Sequence, residues 1–470
     1  MEKLSNLDLT EGTPWKRLLL FSLPVFLGNI IQQIYSIVDG VIVGRFIGDS
    51  AFAAIGLTGN IVYIATALAS GLPSGTSGLT AQYYGAKDME KVRKSYAATL
   101  MICLVSGVVL TLLMMLLSSP LLQIAHLTPG SDTYNYAELY MLIIFGGLLG
   151  VFFYNMYLNF LRALGNTFIP FVLLGIYSGL NILFDALFII VFHWGVAGAA
   201  SAFDLSVVLS GAVGLFWTHA KYPELHLSKA DFHFDKAFLS AHLRMGLPMG
   251  IEFAIIGIGC LIMQGAVDKF GDEAINGYNA ASKIENLLCT FISALGASVL
   301  AYCGQNYGAK KYDRVKAGIK QAGIIFLIDA GIKILITWAI WDRACDLFLS
   351  SPSEATREYC RQYMIWDFVT YVFLGAIYVY RDAELGIGKV VPAFIAGIGE
   401  LFGRTIMALA FVIPFGATAA LGAPGIAWIC SATICGIAVW RDVFSKKNIL
   451  HSEIPAKVPS NGSSAPKEKV

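Results

Sequence analysis

The residues of this sequence best suited to chemistry are acids that lie inside long apolar stretches. A charged side chain in hydrocarbon is costly, so each such acid is a candidate for a functional role. The candidates taken from these acids are Asp39, Asp185, Asp204, Glu252, Glu285, Asp329, Asp367 and Glu400. Four bases lie inside or at the edge of the same stretches: Lys283, Lys320, Lys333 and Arg404. This excess of acids over bases favours a cationic ligand.

Asp39 and Asp185 are the acids that local partners explain least. Asp39 has no base within four residues, and Tyr35 lies one helical turn before it. Asn181 lies one turn before Asp185, so an amide and a carboxylate share one face of a helix. Such carboxylates, removed from water, could exchange a proton near neutral pH or bind a small cation such as sodium. A structural polar network is the alternative role.

Local partners explain several of the remaining acids. Glu400 lies four residues before Arg404, so the two can neutralise each other on one helix. The same spacing separates Asp329 from Lys333, and Asp204 and Asp367 could lie near a membrane–water interface. The secondary candidates for a polar site are Asp204, Glu252, Lys283 and Glu285.

No part of the sequence has the residue spacing of a catalytic motif. It lacks a GxSxG elbow, an HExxH pair, a Walker loop and any cluster with zinc-ligand spacing. We therefore expect no enzymatic activity and no cofactor, apart from a coupling proton or sodium ion. The formal net charge of +1 also argues against nucleic-acid binding.

The composition is that of a membrane protein. Hydrophobic residues make up 56% of the chain and charged residues 14%, whereas a soluble domain has about 25% charged residues. Twelve stretches approach the roughly 20 apolar residues that a membrane helix needs. They cover residues 17–44, 51–80, 95–118, 136–161, 168–192, 196–218, 243–268, 275–303, 318–341, 363–386, 391–414 and 421–441. We therefore predict an all-α polytopic membrane protein with twelve transmembrane helices.

The two halves of the chain are copies of one unit. Residues 82–87 (QYYGAK) recur 223 positions later as residues 305–310 (QNYGAK), and nearly the same offset relates Leu23-Pro24 to Leu247-Pro248. Six stretches in each copy predict two six-helix lobes in the same orientation. The acids at positions 39 and 185 have no counterpart in the second copy, which favours a function confined to the first lobe.

The duplication and the polar stretches predict five regions. They are a lead-in at 1–16, a first lobe at 17–218, a connector at 219–242, a second lobe at 243–445 and a disordered tail at 446–470. Alternate loops contain 24 Lys and Arg residues against 5 in the others, when Arg162 and Arg381 are counted as loop residues. The positive-inside rule then predicts cytoplasmic termini for a multi-pass protein of the plasma or inner membrane.

Several motifs resemble the multidrug and toxic compound extrusion (MATE) family. They are QxYGAKxxxxV after the second and eighth helices, the Leu-Pro openings of helices 1 and 7, RALGNTFIP at 162–170 and GVAGAA at 195–200. The likeness covers about residues 15–445. Members of this family are cation-coupled antiporters that expel organic cations by using protons or sodium, so the resemblance implies the same function here.

The resemblance also implies roles for individual residues. In the branch with an acid on helix 1, the matching positions are Pro24, Tyr35, Asp39, Tyr140, Asn181 and Asp185, with the proline as a bending point. The family usually has a threonine where this chain has Phe203, so we expect a polar network rewired through Asp204 or Ser206. Glu252 lies one turn nearer the start of helix 7 than the acid of another branch, so that role is not transferred.

The expected mechanism is alternating access by a monomer whose lobes rock about a central cavity. Candidate cavity residues are Gln32, Asn155 and Asn159, which could equally form hydrogen bonds between helices. The alternative function is that of a lipid-linked precursor flippase of the same superfamily. A flippase would need a cavity lined with Arg or Lys, whereas acids outnumber bases in the spans of this chain.

Overall fold

Every regular element of this computed structural model, in the described residues 7–124, 127–349 and 351–445, is a helix. Hydrocarbon offers no hydrogen-bonding partners, and a helix satisfies its own backbone groups, so long apolar runs fold in this way. Within these residues, ten helices are long and apolar enough to cross a membrane, and the number of spans is twelve when each of two bent pairs is taken as one span. The predicted fold class is confirmed. The predicted tail, 446–470, lies outside the described residues.

The first half of the chain forms six spans. Its helices are α1 (Pro14–Phe46), α2 (Asp49–Gly85), α3 (Met89–Ile124), α4 (Asp132–Gly146), α5 (Leu148–Ala163), α6 (Phe168–Asp185) and α7 (Gly195–Lys221). α4 and α5 form one span with a bend of 46° between them. A π-helical turn, Ala186–Val191, continues α6.

The second half forms six further spans. Its helices are α8 (Lys236–Val267), α9 (Asp272–Leu288), α10 (Thr290–Gly308), α11 (Tyr312–Ile340), α12 (Glu354–Gly386), α13 (Val391–Ile406), the short α14 (Val412–Phe415) and α15 (Ala417–Leu421), and α16 (Ala423–Val439). α9 and α10 form one span with a bend of 41°. A π-helical turn, Met407–Phe411, follows α13 as its counterpart follows α6. The π turns thus repeat between the halves, whereas the bends do not.

Pro24, the predicted bending point, lies within a continuous helix, as do two further prolines. α1 runs through Pro24, α2 through Pro73 and α8 through Pro248. Each proline removes one backbone hydrogen bond and leaves a point of low resistance to bending. The two breaks above 40° lie elsewhere, at Gly147 and Cys289. Bending at Pro24 therefore stays a prediction.

The helices alternate in direction, so the ends near residues 85, 163, 308 and 386 lie on one face of the molecule. The basic loops are on this side, and we call it the basic face. Its turns repeat down to the backbone: Lys87 and Lys310 both have φ of 58°, and Gly165 and Gly388 have φ of 81° and 85°. Positive φ is costly for lysine, yet both copies retain it.

The connector on the basic face folds as two 3-10 turns, Pro223–Leu225 and Lys229–Phe232. Asp231 fixes it to α3, because its carboxylate accepts hydrogen bonds from Arg93 Nε at 2.6 Å and from Ser228 N and Oγ at 2.8 and 2.7 Å. Burial alone would raise the pKa of Asp231, but these bonds hold it at about 2.

Candidate functional site

Two carboxyl groups meet between α1 and α6. Asp39 is half-buried on α1, Asp185 is fully buried as the last residue of α6, and their side chains lie within hydrogen-bonding reach of each other. Two carboxyl groups can share a hydrogen bond only when one of them is protonated. This geometry therefore suits one proton, and without it the same oxygens could bind a small hard cation.

Asn181 connects this carboxyl pair to α7. In the amide orientation that satisfies both polar atoms, its nitrogen donates to Asp185 Oδ2 at 2.8 Å and its oxygen accepts from the Phe203 backbone N–H at 3.3 Å. Asp185 Oδ1 is buried and accepts no hydrogen bond from a donor among the described residues. That oxygen is thus free for a proton or a cation. The π turn begins at the next residue, and such turns are frequent at functional sites.

Three tyrosines surround the carboxyl pair. The hydroxyl of Tyr35 lies 2.9 Å from that of Tyr177, and their rings meet edge to face at 5.3 Å. Tyr140, on α4, is close enough to interact electrostatically with both acids. Sequence reasoning missed Tyr177, although it precedes Asn181 by four residues and so belongs to the same helix face.

The Phe203–Asp204 departure places an aromatic ring and a further acid beside the pair. The Phe203 ring packs edge to face on Tyr177 with a centroid distance of 6.2 Å. Asp204 points to the bend between α4 and α5, where a Cβ added to Gly147 would lie 2.0 Å from Asp204 Oδ1. Ser206 donates to the Ala202 carbonyl within α7. Asp204 therefore packs against the bend. The contact between Asn181 and α7 is made by the Asn181 side chain and the Phe203 backbone N–H.

A second polar space, the central cavity, lies between the two halves of the chain. It has a volume of about 380 Å³, and its walls come from α1, α2, α5, α8, α10 and α12. Asn155 and Asn159 line it, as does Asn29. Gln32 instead lies in an adjoining pocket of about 260 Å³ that shares Asn29. The cavity falls within the size range of sites for drug-sized ligands, and neither Asp39 nor Asp185 lines it.

Two arginines line the central cavity, although the sequence counts both as loop residues. Arg162 lies inside α5, which continues beyond the apolar run 136–161, and Arg381 lies inside α12, within the predicted run 363–386. Arg381 is neutralised, with Nη1 3.4 Å from Glu252 Oε1 and Nε 3.2 Å from Asp382 Oδ1. Glu252 is thus the partner of a cavity arginine. The composition of the spans did not reveal these inward-facing bases.

The remaining charges of the second half mostly pair within it. Glu400 binds Arg404 at 2.7 Å, and Asp329 binds Lys333 at 2.7 Å, as the four-residue spacing predicts. Asp367, for which the sequence allows a place near a membrane–water interface, is buried inside the protein. It is 3% exposed, because α12 turns it towards α9, where it interacts electrostatically with Glu285.

Glu285 and Lys283 have separate surroundings on α9. Glu285 accepts a hydrogen bond from the hydroxyl of Tyr363 on α12. Lys283 is exposed, with its ammonium 5.5 Å from the ring of Phe348. The described residues contain no group of three or more His, Cys, Asp or Glu side chains that could hold a metal ion. Cys345 and Cys360 are both free and buried.

The duplicated QxYG motifs bind the two halves together on the basic face. Gln82 Nε2 donates to the Gly386 carbonyl at 2.8 Å, and its copy, Gln305 Nε2, donates to the Ala163 carbonyl at 2.9 Å. Each glutamine thus reaches from its own half to the opposite one. We call this pair of exchanged hydrogen bonds the latch.

Glycine is required beside the latch because the backbones approach closely. A Cβ on Gly85 would lie 2.0 Å from the Gln305 carbonyl oxygen, and one on Gly308 would lie 1.9 Å from that of Gln82. The N-terminal segment reinforces the closure: Leu9 N donates to Gln305 Oε1 at 3.2 Å, and Arg314 Nη2 donates to the Leu9 carbonyl at 3.1 Å. The central cavity is therefore closed towards the basic face.

The proteins similar to this chain include several that are named for multidrug resistance or export. The MatE family model matches residues 24–187 and 248–409. The probable multidrug resistance protein YpnP of Bacillus subtilis (strain 168) is 27% identical over 393 residues, which are 83% of this chain and 86% of that protein. The multidrug export protein MepA of Staphylococcus haemolyticus (strain JCSC1435) is 24% identical over 94% of this chain and 95% of its own length.

Solved structures of MATE transporters have a similar fold. An outward-facing multidrug resistance MATE family transporter of the MOP superfamily superposes with a TM-score of 0.83 over 92% of this chain and 96% of its own, at 23% identity. The relatives quoted above are named as multidrug proteins and lend no support to the flippase alternative.

Proposed function

The chain belongs to the MatE family, and on that premise we propose that it is a secondary active antiporter that exports drug-sized amphipathic molecules in exchange for protons or sodium. The observation that carries this proposal is the carboxyl pair Asp39–Asp185, which lies apart from the central cavity. An antiporter needs an ion site and a substrate site that influence each other, and these two sites share α1.

The carboxyl pair would couple transport through its charge. With one proton shared, the pair has a single negative charge. When that proton leaves, two like charges remain close together, and α1 and α6 must move apart or accept a cation between them. Asn181, fixed on Asp185, and the Tyr35–Tyr177 hydroxyl pair would then hold a proton or a sodium ion in place.

α1 would transmit this event to the cavity. Asn29, ten residues before Asp39, lines the cavity and donates to Thr290 O at 3.2 Å and Ser293 Oγ at 3.1 Å on α10. Ten residues of helix span about 15 Å. A change in bend near Pro24 would therefore shift the contact of α1 with the opposite lobe, which is the step that alternating access requires.

The positive-inside rule orients the molecule in this proposal. The basic face and both termini would lie in the cytoplasm of a cell with the protein in its plasma or inner membrane. The latch would then hold the cytoplasmic side closed while substrate leaves outward, and one polypeptide would contain the whole transport cycle. Organic cations are the expected cargo because acids exceed bases in the spans. In the cavity lining itself, Asp382 is paired with Arg381, and Arg162 is a second base.

Efflux from reconstituted vesicles tests this function. Purified protein in liposomes loaded with a cationic dye would be given a proton gradient or a sodium gradient separately. Wild type should export dye with at least one gradient, and Asp39→Asn and Asp185→Asn should lose that dependence. Asp132→Asn, at an exposed residue in the first turn of α4, is the matched control and should retain it. Gradient-driven efflux by Asp39→Asn would disprove the coupling assignment.

A further inference from the structure

Arg162 is a charged residue of the central cavity without a counter-charge. It lies in the last turn of α5, its side chain lines the cavity, and its Nε is buried without a hydrogen-bond partner. Among the described residues, no carboxylate lies within 4 Å of its guanidinium nitrogens. A buried guanidinium with unused donors is costly, and an oxyanion satisfies it best because two parallel hydrogen bonds can form.

The other arginines inside the spans, Arg381 and Arg404, are paired with carboxylates. Arg381 binds Glu252 and Asp382, and Arg404 binds Glu400 at 2.7 Å and donates to the Ile256 carbonyl at 3.1 Å. Arg404 Nε also lacks a hydrogen-bond partner, so Arg162 differs from both in having no carboxylate partner among the described residues. Its guanidinium is therefore available to a molecule in the cavity.

The walls around Arg162 suit an amphipathic zwitterion. Asn155 and Asn159 lie seven and three residues before it on the same face of α5, and each uses its amide nitrogen on an α5 carbonyl at 2.9 Å. Their amide oxygens therefore remain as acceptors beside the arginine donors. Tyr63 and Phe253 supply apolar surface in the same cavity. A suitable ligand has an oxyanion for the arginine donors, N–H or cationic groups for the amide oxygens, and an aromatic body for the apolar surface.

A purely structural role for Arg162 predicts that lysine can replace it. A base in the last turn of a helix is favoured by the helix dipole, and lysine serves that purpose as well as arginine. Bidentate binding of an oxyanion instead requires the planar guanidinium. Arg162→Lys therefore separates the two roles, because a dipole role survives this change and a bidentate ligand contact is weakened.

We propose that Arg162 is the binding residue for a carboxylate or other oxyanion of the exported molecule, so that the preferred substrates are zwitterions. This inference rests on the proposed function in taking the central cavity as the substrate site. Arg162 immediately precedes Ala163, whose carbonyl accepts the latch bond from Gln305. The oxyanion would thus bind at the end of the cavity next to the latch.

A matched dye pair tests the proposal. Rhodamine B carries a carboxylate, and its ethyl ester is the same dye without that negative charge. Binding of each to purified protein in a non-ionic detergent would be measured by fluorescence anisotropy. Wild type should bind rhodamine B about tenfold more tightly than the ester, the effect of one charge-assisted hydrogen bond. Arg162→Gln should reduce this ratio to near one, and Arg162→Lys should give an intermediate value.

A control variant and the wild-type ratio itself decide between the outcomes. Arg45→Gln, at an exposed arginine near the end of α1, should keep the wild-type ratio. A wild-type ratio near one overturns the proposal whether or not the variants fold, as does an unchanged ratio in Arg162→Gln. Binding needs no gradient, so a discriminating protein that moves neither dye would disprove the antiport function and leave the oxyanion contact standing.

Discussion

Replacement of Gly308 by alanine should open the basic face of the protein. The added Cβ would lie 1.9 Å from the Gln82 carbonyl oxygen, whereas ordinary contacts begin at 3.4 Å. Both groups belong to backbone at the crossing of α2 and α10, so neither can rotate away. The helices must separate by about 1.5 Å at this point to reach an ordinary contact distance.

This separation would break the latch. Its two hydrogen bonds, at 2.8 and 2.9 Å, would lengthen well beyond hydrogen-bonding distance. A typical intramolecular hydrogen bond contributes about 0.5–1.5 kcal/mol, so the loss of two favours the open form by about 1–3 kcal/mol. That free energy corresponds to a shift of about 5- to 150-fold in the open-to-closed ratio.

Cysteine accessibility measures the shift. Ala301, which lines the central cavity next to the latch, would be replaced by cysteine in a background without the native cysteines. A membrane-impermeant maleimide added to the basic face should label it several-fold faster in Gly308→Ala. Gly175→Ala, whose Cβ would meet nothing within 4 Å, controls for the general effect of alanine in a helix. Equal labelling rates in Gly308→Ala and wild type would refute the proposed closure by the latch.

Three further predictions concern a turn and the connector on the basic face, and the bend between α4 and α5. Lys87→Gly should raise the free energy of unfolding by about 0.5–1 kcal/mol in thermal melts, because glycine adopts φ of 58° without strain; Lys87→Ala should not. The pKa of Asp231 is about 2, below the unfolded value of about 3.9. The contribution of Asp231 to the free energy of unfolding is full above that unfolded value and is lost as the pH falls towards 2. Asp231→Asn should therefore reduce the dependence of the free energy of unfolding on pH over this range, as measured in thermal melts. Gly147→Ala should destabilise the protein through collision with Asp204, and Asp204→Ala should relieve most of the loss in a double-mutant cycle; additive effects would contradict this contact.

The sequence predicts features that depend on one helix or on the repeat. The Glu400–Arg404 pair follows from a four-residue spacing. The direction in which a charge points from its helix depends on packing, so the sequence does not predict that Arg162 lines the cavity or that Asp367 is buried. The latch joins residues 304 positions apart, Gln82 and Gly386, and depends on how the two copies meet. Repetition of a motif reveals that it is shared, but not that the two copies bind each other's half.

The central claim is that a proton or sodium ion at Asp39–Asp185 competes with drug binding in the central cavity. Drug affinity of the purified protein, measured by fluorescence anisotropy across pH and sodium concentration, tests it most directly. Ion and drug must weaken each other's binding reciprocally in an antiporter. Wild-type affinity should fall about tenfold as one of the two ions saturates its site, a coupling of about 1.4 kcal/mol, and Asp39→Asn should abolish this dependence. Wild-type affinity that ignores both ions, or an unchanged dependence in Asp39→Asn, would contradict the claim.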